Sequence, residues 1–314
     1  MKLLTLSNYI PEQIANVTRF IDYDGMFKMS HCCNYIQNFI SYAEENDNFD
    51  GVIFPNSCDG ARSAIDYMGK SKKFIYQLKH PTIVTRASCE YFAKVLEDYK
   101  ISLEQHCGNS ILLDDILEKT SMLEARGKYL HNIYESSAIS DYADYIEQIN
   151  TMLQNPLADW EKYAPKANKA CSQRKNVYIV GAFMGRTSLL TQIEQCGLQI
   201  AGDNLTNSKR LMWSEYKFNK STIFEDIAYH ILQNQASPTI DRFTAIWEKD
   251  IAEIKKKNIR GVIFICPKFC EPYEYLYTLY CQRLNDMGIP SLRIYIDDSF
   301  EGASPSVEAF AEII

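Results

Sequence analysis

No stretch of this chain approaches the ~20 consecutive apolar residues that a membrane-spanning helix needs, so no membrane role is expected. Basic residues are too few for a nucleic-acid surface: 33 Lys and Arg stand against 40 Asp and Glu, the net charge is −7, and the lysines are scattered. Histidine is scarce, at five, and none lies in an evident nucleophile context, which sets cofactor-free hydrolysis by a Cys–His pair aside. There is no Gly-Lys-Ser/Thr spacing of a P-loop and no C-x₂-C-x₂-C run of a ferredoxin. The opening residues Met1–Asn8 hold no apolar stretch of signal-peptide length, so the expected location is the cytoplasm. Cysteine, by contrast, is plentiful. In a reducing compartment the ten cysteines are expected as thiols or ligands rather than disulfides.

What the chain does have is one pattern written twice. Gly51–Phe54 reads GVIF and runs through Pro55, Asn56 and Ser57 to Cys58-Asp59. Gly261–Phe264 reads GVIF again and runs through Ile265–Phe269 to Cys270-Glu271. Each is a short apolar run bounded by turn residues, which predicts a buried strand. Each then places a cysteine and a carboxylate just past the strand's carboxyl end, the edge where open α/β sheets bind ligands. Cys33, in His31-Cys32-Cys33-Asn34, is a third candidate. Three cysteines remote in sequence and convergent in space would suit a metal or iron–sulfur site. Thiolate pKa values fall at helix amino termini. Cys58 and Cys270 both precede predicted helices, the second opened by Glu271-Pro272. Three ligands would leave one iron of a four-iron cluster open to substrate or water.

Around these motifs, strand and helix patterns alternate. Lys2–Leu6 and Val52–Phe54 read as strands, Phe74–Leu78 and Ile83–Val84 as weaker ones around His80-Pro81, and Pro11 opens a helix-like segment. Asn34–Glu44 and Ala61–Met68 carry helical periodicity. Residues 88–155 are long, charged and helical, with a turn near 109–114. A polar, proline-marked stretch follows. A second unit begins at Val177–Gly181. It continues with a helix from Ser188 to Cys196, a short strand at Gln199–Ala201, helices near 224–232, 243–257 and 275–287, and a strand at Leu292–Ile296. The expected architecture is α/β, with two Rossmann-like (flavodoxin-like) parallel-sheet domains and a helical segment between them. The boundaries fall at 1–155, a linker at 156–176, and 177–314.

The segment Asp50–Arg62, with its Ser57-Cys58-Asp59 and Arg62, resembles a motif of the 2-hydroxyacyl-CoA dehydratase D-component and benzoyl-CoA reductase family. Pro267–Pro272 and Cys33–Gln37 are similar to that family's other two cysteine segments, and the tail from Gly288 to Phe310 to its usual ending. The resemblance implies one [4Fe-4S] cluster held by Cys33, Cys58 and Cys270, with Cys32 competing with Cys33 for the first place. It implies an acyl-CoA substrate, an ATP-dependent iron–sulfur activator that delivers a low-potential electron, and a homo- or heterodimer with a related subunit. In the dehydratases, one-electron reduction of the thioester carbonyl to a ketyl radical anion lets water leave. Related members reduce aromatic rings or carry a double-cubane [8Fe-9S] cluster that reduces small molecules.

Bland readings stand beside these. Cys89, Cys107, Cys171, Cys196 and Cys281 are expected as small buried fillers; Cys266 is either a ligand or, being nearer its strand, buried like them. His31 is either a ligand or proton donor or simply solvated. Asn56, Ser57 and Arg62 are either hydrogen-bond donors to cluster sulfides or a CoA phosphate, or ordinary turn residues. Gly185–Ser188, ahead of a helix, is an anion-site candidate. Three functions remain open: a radical acyl-CoA dehydratase or reductase subunit, a non-catalytic partner subunit of a heterodimer, and a thiolate zinc or apo binding module.

Overall fold

A computed structural model describes residues 1–6, 9–23, 32–69, 71, 73–136, 139–166, 174–212, 217–234, 239, 241–296 and 303–314. Its first half runs β1 (Lys2–Thr5), β2 (Asn16–Arg19), α1 (Asn34–Glu45), β3 (Gly51–Pro55), α2 (Asp59–Met68) and β4 (Phe74–Leu78). Four helices follow: α3 (Arg86–Cys107), α4 (Leu113–Ser136), α5 (Tyr142–Gln154) and α6 (Trp160–Tyr163). The second half runs β5 (Lys175–Gly181), α7 (Ser188–Gln195), β6 (Leu198–Asn204), α8 (Ile223–Asn234), α9 (Phe243–Lys256), β7 (Gly261–Pro267), α10 (Glu271–Asp286), β8 (Ser291–Ile296) and α11 (Ala303–Ile313).

The strands form two four-stranded sheets, ordered β2-β1-β3-β4 and β6-β5-β7-β8, and every pairing is parallel. The two halves therefore share one winding order, second-first-third-fourth, and the expected pair of parallel α/β sheets is present. Both GVIF segments are the third strand of their sheet and are buried along their whole length. A run without alternation is what a strand covered by helices on both faces requires.

Two local expectations fail. Pro11 does not open a helix: residues 12–15 make a turn, in which Ile14 N–H donates to the Pro11 carbonyl, and the chain then enters β2. Ile83–Val84 forms no strand; it sits in the bend that leads into α3, whose start is fixed by a capping box between Thr85 and Ser88. The long helical stretch breaks at Gly108, which takes φ +70° and closes α3 through its N–H to the Glu104 carbonyl.

Helices cross the sequence boundary between the halves. Ile146, Ile149 and Leu153 of α5 pack into the second sheet's core beside Val177, Ile179 and Leu190. In return, Ile223, Ile227 and Ile231 of α8 pack with Phe92, Leu96 and Tyr99 of α3 over the first sheet. Beneath β1 and β2, Glu12 accepts from Arg19 at 2.6 Å and from Arg126 of α4 at 3.0 Å, all three side chains being nearly inaccessible. Burial pushes the Glu12 carboxyl up, but Arg126 and Arg19 overcome it and hold the pKa at about 2. Among the described residues, no helix is long and apolar enough to cross a membrane.

Candidate functional site

The carboxyl edges of the two sheets open onto one cavity of about 160 Å³. Residues just past six of the eight strands line it, including Leu6 after β1, Ile21 after β2, Ser57 and Cys58 after β3, Phe183 after β5, Thr206 after β6 and Cys270 after β7. Its described lining holds two charged side chains, Asp22 and Arg186, and these pair with each other. The rest of the wall is largely apolar, with Tyr35 of α1 stacked on Phe183 of the other half at 5.6 Å. The Tyr35 hydroxyl lies 2.9 Å from both the Leu6 and the Phe20 carbonyl oxygens, which fixes the ring.

Cys33, Cys58 and Cys270 all line this cavity, and each is the N-cap residue of a helix, α1, α2 and α10 respectively. Three helix amino termini, with their unpaired N–H groups and positive dipole ends, thus converge on three sulfurs. The Cys58 Sγ accepts from Ala61 N–H at 3.4 Å. Cys33 and Cys270, 237 residues apart in sequence (270 − 33), lie within side-chain hydrogen-bond distance. Cys270 donates to Cys33, which lowers the Cys33 pKa and, together with burial, raises that of Cys270. Burial pushes the Cys58 thiol up as well. A second cavity of about 460 Å³ reaches the same three cysteines together with Cys32, Phe269 and Glu271.

Cys32 is placed differently. Its thiol points to the Cys33 carbonyl at 3.7 Å, and burial drives its pKa up to about 12. Gly60 admits this segment: a Cβ there would come within 3.3 Å of the Cys32 Cβ.

Residues 24–314 match the model of the family described as 2-hydroxyglutaryl-CoA dehydratase, D-component. The chain belongs to this family. It is also 22% identical over 314 residues to the (R)-phenyllactyl-CoA dehydratase beta subunit of Clostridium sporogenes, covering 90% of this chain and 80% of that protein.

The remaining sequence-marked residues of this D-component-family chain divide. Ser57 lines the cysteine cavity. Asn56 spends its amide on the backbone of His80, accepting from its N–H at 2.7 Å and donating to its carbonyl at 3.3 Å. Arg62 pairs at 2.8 Å with Asp59 on the exposed face of α2, outside the described lining of the cavity. Cys266 is fully buried and donates to the Tyr273 carbonyl. The other cysteines are less buried than expected. Cys89, Cys196 and Cys281 are half-buried, and Cys107 is exposed at the end of α3 beside the Met1 sulfur. His31 and Cys171 lie outside the described residues.

Sequence reasoning missed the clasp at the cavity's side. Arg186 donates from Nε to Asp22, so Gly185-Arg186 meets the first half's chain. At Gly185 an added Cβ would stand 2.2 Å from the Ile21 carbonyl oxygen, a backbone atom with no room to yield. Gly185→Ala is therefore expected to lower stability by ~1–3 kcal/mol through overpacking, read by denaturant unfolding. An unchanged midpoint would show that the two halves do not close this tightly.

A fit to an iron–sulfur cluster can be judged from the donors. Among the described residues, no three His, Cys, Asp or Glu side chains are grouped so as to hold a single metal ion. A four-iron cluster asks for something else: thiolates set apart around a body several atoms wide, in a polar-poor pocket with N–H donors at its edge. Three N-cap cysteines at one largely apolar cavity supply the thiols and the N–H donors of that demand.

Proposed function

We propose that this chain is a cluster-bearing subunit of a 2-hydroxyacyl-CoA dehydratase-like enzyme, with Cys33, Cys58 and Cys270 holding one [4Fe-4S] cluster. The observation that supports it most is that three cysteines, each capping a helix, meet at the shared carboxyl edge of two parallel sheets. When bound, the cluster supplies single-electron chemistry, directed in this reading at an acyl-CoA thioester.

The chain's own residues do the rest. The amino termini of α1, α2 and α10 offset the negative charge of three thiolates. Ile36, Pro267 and Ile296 keep the wall dry, and the Ser57 hydroxyl is a donor at its edge. Phe183 and Arg186 hold the second half against the first, so that Cys270 stays opposite Cys33. In the cell we place the chain in the cytoplasm, served by an ATP-dependent iron–sulfur activator, and beside a related subunit, for which the beta-subunit name of its relative is the support.

The test is the iron and acid-labile sulfide content of protein purified without oxygen, with EPR after reduction. About four of each per chain is expected. About eight would replace the single cubane by a double one, and no iron with freely titrating thiols would overturn the reading.

A further inference from the structure

A cavity of about 700 Å³ lies away from the cysteine site. It lies between α4, α8, α9 and the loop that follows β6, again at the carboxyl edge of a parallel strand. Its size is that of a small-molecule site. Four cationic side chains line it, Lys128, Lys209, Arg210 and Lys249, against two carboxylates, Glu135 and Asp250. Both carboxylates are already matched. Glu135 accepts from Lys256, and Asp250 accepts from Lys209 at 3.0 Å.

Lys249 is left over. It forms no ion pair or hydrogen bond among the described residues. Burial and the nearby charges of Arg242 and Lys209 depress its pKa, with Asp250 opposing them. The Nε of Arg242, at the amino end of α9, is itself buried without a hydrogen-bond partner. Lys249 is exposed at the cavity's rim, where an anion would meet its charge together with those of Lys209 and Arg210 further in, although Lys209 is also paired with Asp250 and Glu253. Arg210 fixes one wall, donating to Asn204 at 2.7 Å and to the Tyr273 hydroxyl at 2.9 Å. The Asn132 and Gln233 amides, which also line the cavity, make no hydrogen bond among the described residues and remain available to an organic moiety.

We propose that this cavity is a second binding site, for a phosphorylated ligand of up to nucleotide size, with Lys249 as its phosphate contact. Several separated cations around a wide cavity suit an anion with several oxygens, and the free amides suit the body that carries it. The proposal does not depend on the cluster.

Calorimetric titration of the full chain with inorganic phosphate, ADP and coenzyme A, at matched ionic strength, tests it. Phosphate is expected to bind weakly and saturably, and at least one of the two organic phosphates about tenfold more tightly. Which of the two gains distinguishes a nucleoside diphosphate from a coenzyme tail. Lys249→Glu is expected to weaken every ligand ~10–100-fold. Because Lys249 lies on the exposed side of α9, the melting temperature without ligand should hold. Gln233→Ala should weaken the organic phosphates alone. No saturable binding by any of the three, or binding unchanged in Lys249→Glu, overturns the proposal. Phosphate binding with no gain from either larger ligand overturns its nucleotide-size part.

Discussion

Replacing Cys270 by serine is expected to empty the proposed cluster site while leaving the fold in place. Serine is a good N-cap, so α10 keeps its start, but a hydroxyl is a far poorer iron ligand than a thiolate. Iron should fall from about four per chain to under about one, with the matching loss of labile sulfide and of the reduced EPR signal. Cys58→Ser should do the same for the same reason, since Cys58 caps α2. Cys32→Ser is the informative neighbour. Its thiol is turned to a backbone carbonyl and its proton is held tightly by burial, so iron should stay. Far-ultraviolet circular dichroism should be unchanged in all three. Full iron in both Cys58→Ser and Cys270→Ser would sink the ligand assignment.

The second large effect concerns stability and lies away from the cysteines. Glu12→Gln leaves Arg19 and Arg126 buried together with no anion between them. Breaking a buried ion network in this way is expected to cost ~3–5 kcal/mol, read from urea unfolding at neutral pH. Because the folded Glu12 pKa, about 2, lies below the ordinary carboxylate value, the wild-type contribution is fully present above that ordinary value. It is lost as the pH falls through about 2. Wild type and variant should therefore converge in stability on acidification. A constant gap down to pH 2 would show that the carboxylate's charge is not what the arginines need.

How much of this was legible beforehand follows from the physics of each signal. The two GVIF strands were readable because a strand buried on both faces is a continuous apolar run, and the cysteine after each inherits its place from that strand. Strand β2 was not. Asn16–Arg19 is four residues long with three polar side chains, and Arg19 is buried with its charge paired to Glu12, seven residues away. The exchange of α5 and α8 between cores was equally hidden, since an amphipathic pattern tells which face is buried and not what it meets. The Asp22–Arg186 clasp joins residues 164 positions apart, beyond any local pattern. Asn56 misled in the opposite sense: a polar residue beside a site motif proved to be satisfied by the backbone of His80.

The separation of Cys33 from Cys270 has a consequence for how the protein is made. Synthesis runs from the amino end, so two of the three thiols emerge long before the third. Until β7 has docked beside β5, the early pair faces no partner and is exposed to oxidation or to stray metal. Loading of any cofactor must therefore be one of the last events in the life of the nascent chain, and a truncated copy lacking its final fifty residues could not complete the site.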